Sequence, residues 1–144
     1  MTLKQALAIL VANKSAVEGS FLHALHERDT FDRARCRTLI DAMAVIAGAK
    51  PRLRGRDAGP AALHVYKYIL RRIVFHFDPN DSSVVRRLPA KHLADYLECL
   101  DWVFAPVING KPGYGALPDF DHGLKNAPKA GRKRLARRAS RRRA

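Results

Sequence analysis

The sequence predicts an all-α protein: a single-domain bundle of four to five helices, then an irregular coil and a basic C-terminal arm. Three observations carry that expectation. Apolar residues recur at helical spacing along most of residues 2–104, prolines and glycines gather between those stretches and after residue 105, and residues 125–144 hold ten Lys and Arg side chains with no acid. At 144 residues there is room for one domain with its own core, here residues 1–124, and two would be crowded.

The first helix begins at Thr2, with Gln5 three residues on to complete a capping box. Ser15 and Glu18 have the same spacing and predict a second helix, or a restart of the first, with Val17, Phe21, Leu22 and Leu25 on one face. A third helix is expected from about Asp32 to Ala47. Leu39, Ile40, Met43, Val45 and Ile46 form its apolar face, and Gly48 stops it. Residues 48–60, with two prolines, three glycines and four basic residues, predict an exposed loop.

Pro60 suits the first position of the next helix, over about 61–77. Ala62, Val65, Tyr66, Ile69, Leu70, Ile73, Val74 and Phe77 define a wide buried stripe there, and Asp78-Pro79 ends it. A short helical turn through Arg87 follows, capped by Asp81 or Ser82. Pro89 then starts the last helix, to about Phe104, with Leu93, Tyr96, Leu97, Leu100, Val103 and Phe104 inward and Trp102 at the edge. The proline- and glycine-rich residues 105–124 predict a coil draped over the bundle.

Charge supplies the functional lead. The chain has 27 Lys and Arg against 13 Asp and Glu, a net of +14, and without the arm the balance falls to 17 against 13. A sequence pI near 10.6 points to an anionic partner rather than to any particular fold. The arm consists of Lys125, Lys129, Arg132, Lys133, Arg134, Arg137, Arg138, Arg141, Arg142 and Arg143. Such a segment repels itself, buries no apolar surface and predicts disorder without a partner. Its chemistry suits DNA or RNA phosphates contacted without base specificity, and arginine dominance favours bidentate contacts. Arg52, Arg54 and Arg56 in the loop are weaker candidates for the same role, with Lys50 beside them. Arg71-Arg72 and Arg86-Arg87 are two further clusters, expected to be scattered solvated charges.

The expected function is therefore a non-catalytic nucleic-acid-associated protein. The rival is a helical protein-interaction module of the adaptor, immunity or antitoxin kind, acting through Trp102, Tyr114 and Phe120. A neutraliser of a basic nuclease would present acidic surface, which this chain does not. No zinc-finger, helix-turn-helix, KH or RRM signature occurs, nor a P-loop or a nucleophile motif, and no cofactor is expected. His23, His26 and Glu27, His76 and Asp78, and Asp119, Asp121 and His122 lack diagnostic ligand spacing, so no metal is expected. Cys36 and Cys99 fall in helical patterns without a ligand motif and predict buried free thiols, with pairing left open. Sparse cysteine, no secretory leader and no run of about 18 apolar residues predict a cytoplasmic protein, nucleoid- or ribosome-associated, or nuclear in a eukaryote.

Overall fold

A computed structural model describes residues 1–115 of the chain. Helix α1 spans Leu3–Lys14 and starts as its capping box requires: Gln5 N–H donates to Thr2 Oγ1 at 3.2 Å and Thr2 N–H to Gln5 Oε1 at 2.8 Å. The second capping box does not form. Ser15 is the C-cap of α1, and Ala16 follows in the left-handed region at φ 46°. Ala16 N–H donates to Asn13 O at 3.0 Å and Val17 N–H to Ala12 O at 2.9 Å, the paired bonds of a Schellman ending. Val17 is thereby exposed rather than inward. Helix α2, Phe21–Glu27, takes Ser20 as its cap instead. Asn13, buried at the junction, donates to Ile9 O at 2.9 Å and accepts from Leu22 N–H at 3.1 Å, satisfying an otherwise orphaned donor of α2.

Helix α3, Arg33–Gly48, is capped by Asp32 and buries Cys36, Leu39, Ile40, Met43 and Ile46. A 3-10 turn, Pro51–Leu53, leads to α4, Ala58–Phe77, which starts two residues earlier than Pro60 suggests. Pro60 still sits in the first turn, where its missing N–H costs nothing. The inner stripe of α4 is Ala58, Ala61, Ala62, Val65, Ile69 and Ile73. Tyr66 and Leu70 are half-buried, whereas Val74 and Phe77 are 62% and 58% exposed, so the stripe is narrower than expected.

The expected helical turn through Arg87 is absent: residues 79–88 run as turn and extended chain, and Thr30 pairs with Arg86 in an isolated parallel bridge. A 3-10 turn, Ala90–His92, precedes α5, Leu93–Ile108, which passes through Pro106 rather than ending at Phe104. Pro106 has no N–H to give to Trp102 O, so that helix bond is forfeited, and burial of Pro106 and Val107 favours continuation.

Four helices close a ring in the order α1, α3, α5, α4, and α2 packs mainly against α4 and α1. Inside lies one cluster that includes Leu10, Phe21, Leu25, Phe31, Leu39, Ile40, Met43, Ile69, Leu100 and Phe104. Cys36 and Cys99 are both buried within it, and no disulfide joins them. The protein is an all-α helix bundle, and no described helix is long and apolar enough to cross a membrane.

Candidate nucleic-acid interface

The ten arm residues, Lys125 to Arg143, lie outside the described residues, as does Phe120. The loop arginines divide. Arg52 and Arg56 are exposed as expected, but Arg54 is 4% exposed, which corrects its assignment to an open surface. Its Nη2 donates to Ala47 O at 2.8 Å and Ala49 O at 2.9 Å, its Nε to Ala49 O at 3.1 Å, and its Nη1 to Pro106 O at 3.2 Å. These are carbonyls that the ends of α3 and α5 leave over, where a cation also meets the negative ends of the helix dipoles. Arg54 is a structural clamp with no donors aimed at solvent phosphates.

The arginines that do converge come from three segments at the opposite end of α3. That helix, with 16 residues, is about 24 Å long. Helix α2 ends at Glu27, and Arg28 and Asp29 turn the chain, Asp29 in the left-handed region at φ 45°. Thr30 and Phe31 then run extended beside residues 85–86: Arg86 N–H donates to Asp29 O at 2.6 Å, and Phe31 N–H to Arg86 O at 2.9 Å. Two anchors hold this pairing. Phe31, 1% exposed, meets Phe21 and Tyr96 edge-on at 5.1 and 5.3 Å between ring centroids. Val85 is buried and donates its N–H to His76 Nδ1 at 3.0 Å.

The result is a cleft of about 310 Å³ lined by Arg28, Thr30, Asp32, Arg35, Arg86 and Arg87. A second recess, about 520 Å³, shares Thr30, Asp32 and Arg87 with it and adds Phe31, Arg33 and Leu88. Five arginines thus face one lining carboxylate. Asp32 is already engaged, accepting from Arg35 N–H at 3.0 Å with Arg35 Nε 3.3 Å from its second oxygen. The neighbouring Asp29 is paired with Arg72, whose Nε is buried without a partner among the described residues. Arg86 Nη2 donates to Arg28 O at 2.5 Å, 58 positions away, which ties the two cationic segments together. Arg87 holds φ 59°, a left-handed backbone that costs a non-glycine residue about 1–3 kcal/mol and places it on the wall common to both recesses.

Guanidinium groups gathered in this way can fork onto phosphate oxygens, with the remaining arginine donors free to add contacts. The pairs Arg86-Arg87 and Arg33-Arg35 are visible in the sequence, but nothing in their local pattern announces that a bridge joins them. Arg28 has no local signal at all. Arg71 stays exposed on α4, apart from the lining. His23, His26, His76 and Asp78 do not line either recess. His26 instead bonds the Tyr68 hydroxyl at 2.7 Å, and Trp102 is half-buried against Tyr114, with ring centroids 5.0 Å apart.

No family model, curated protein or solved structure matches this chain.

Proposed function

We propose that this is a nucleic-acid-associated protein that grips phosphate backbones without catalysis, using the arginine cleft of the bundle together with the C-terminal arm. The observation that carries the reading is the cleft: arginines from three segments share a recess with a single, already neutralised carboxylate. The ten basic residues of 125–144 add a second, sequence-level cationic element. Each engaged phosphate releases condensed counterions, so affinity depends steeply on salt; about six contacts give a log–log slope near −5, roughly a thousandfold loss between 50 and 200 mM salt.

The test is fluorescence anisotropy of labelled DNA and RNA strands and duplexes across a salt series, comparing the full chain with a 1–124 truncation. Micromolar or tighter binding with a steep salt slope, weakened but not abolished by truncation, supports the reading. Absence of binding by the full chain near physiological salt removes it.

A protein-interaction role has one observation in its favour. Val74, Phe75 and Phe77 expose apolar surface at the end of α4, and Val84 in the following segment is also exposed. Serine at Val74 and Phe77 would abolish capture of a protein partner while leaving nucleic-acid affinity intact.

A further inference from the structure

The two recesses are contiguous through Thr30, Asp32 and Arg87 yet differ in lining. One presents Arg28, Arg35 and Arg86; the other adds Phe31 and Leu88 beside Arg33. Volumes of about 310 and 520 Å³ fall in the range of small-ligand pockets.

We propose that the cleft receives one unpaired nucleotide, its phosphate among Arg28, Arg35, Arg86 and Arg87 and its base in the adjoining recess against Leu88 and the Arg33 guanidinium. The inference rests on the nucleic-acid reading above and narrows it to single strands. A base reaches a recess beside its own phosphate only when it is free of a partner strand, and stacking on a guanidinium or apolar wall tolerates any base. The number of arginines sets the polarity. Four line one recess and two the other, with Asp32 and Arg87 common to both, so the anion is favoured on the four-arginine side and the neutral base on the other. Arg87 is the arginine common to both linings, and the parallel bridge beside it holds the two walls together.

Arg87 also supplies a clean variant. At φ 59° glycine is the favoured residue, so Arg87→Gly removes the guanidinium while relieving the backbone, and lost binding cannot be attributed to lost folding. The experiment titrates the full chain with uridine 5′-monophosphate, uridine, ribose 5-phosphate and inorganic phosphate, followed by NMR. In parallel it measures affinity for a single strand and a duplex of equal length, for both the natural chain and Arg87→Gly. The expected result is that the nucleotide binds at least about tenfold more tightly than inorganic phosphate or uridine, and shifts the amides of residues 28–35 and 86–88. Arg87→Gly should reduce that affinity about tenfold and erase a preference for the single strand, with unchanged thermal stability or a gain.

Inorganic phosphate or ribose 5-phosphate matching the nucleotide would show an anion site that holds no base, and would overturn the proposal. So would an unchanged nucleotide affinity or strand preference in Arg87→Gly. If strands and duplexes bind equally while the nucleotide does not, the inference falls and the broader reading stands. If neither oligonucleotide binds, both fall.

Discussion

Arg54 donates from Nη1 to the carbonyl of Pro106 at 3.2 Å, across 52 positions of sequence, while the same guanidinium holds the end of α3. One side chain thus caps two helix C-termini, at carbonyls that are buried or half-buried. Removing it takes the side-chain donors from Ala49 O and leaves Ala47 O and Pro106 O with one bond each, from Gly113 N–H and Lys111 N–H; a lost bond costs about 1–3 kcal/mol where nothing replaces it. Arg54→Ala is expected to lose about 3 kcal/mol of unfolding free energy in urea. Arg54→Lys recovers little of this, because a single ammonium cannot reproduce the planar fork that reaches Ala47, Ala49 and Pro106 together. Full recovery by lysine would show that charge alone suffices.

Ala16 occupies the position after the α1 C-cap where a left-handed backbone is needed, at φ 46°. Glycine removes the Cβ penalty there and gives back part of the gain as unfolded-chain entropy. Ala16→Gly is therefore expected to stabilise the protein by about 0.5–1 kcal/mol, seen as a higher thermal midpoint. A lower midpoint would mean that the Schellman ending is not the resting conformation.

Gly113 lies where a Cβ would stand 2.8 Å from Ala47 O, the carbonyl that accepts both Gly113 N–H and Arg54 Nη2. Gly113→Ala must lift the segment around Tyr114 away from Trp102. Trp102 is the only tryptophan of the chain, so its emission reads this contact directly. A change in emission maximum and quenching, with a loss of about 1 kcal/mol, is expected. An unchanged spectrum would show that the close approach is not maintained.

Cys36 is completely buried, and burial first, then Cys99 and Asp32 nearby, pushes its thiol far above the ordinary range. Above about pH 9 the unfolded chain releases this proton while the native chain keeps it. The unfolded state then binds fewer protons, so stability holds below that pH and falls as pH rises beyond it. Burial raises Tyr66 and Tyr68 as well, which adds a decline of the same sign at still higher pH. Urea midpoints should fall between pH 8 and pH 10. A thiol reagent should label neither Cys36 nor Cys99 before unfolding; prompt native labelling of Cys36 would contradict its burial.

The regular parts of this fold are legible in the sequence wherever a local pattern decides them. Leu39, Ile40, Met43 and Ile46 recur at helical spacing, and Thr2 with Gln5 forms a reciprocal cap, so α3 and the start of α1 follow from residues alone. Ser15 and Glu18 repeat that cap spacing without forming it, because Ala16 takes a left-handed turn that closes α1 first and leaves Ser20 to open α2. Pro106 misleads in the other direction, since burial of Pro106 and Val107 outweighs the helix bond that the proline forfeits. The cleft was the least visible. Arg86 reaches Arg28 through a bridge between segments far apart in sequence, and no periodicity encodes that contact. Arg54 looked like its neighbours Arg52 and Arg56 because composition does not distinguish a solvated cation from one that caps buried carbonyls.

The measurement closest to the central claim is photocrosslinking of the full chain to a thiouridine-containing single strand, with the adducts mapped by mass spectrometry. Adducts on residues 28–35 and 86–88, accompanied by others within 125–144 and suppressed by high salt, are the expected result. Adducts confined to the arm, or none in the cleft after saturation, would contradict the assignment of the arginine cleft as a nucleic-acid contact.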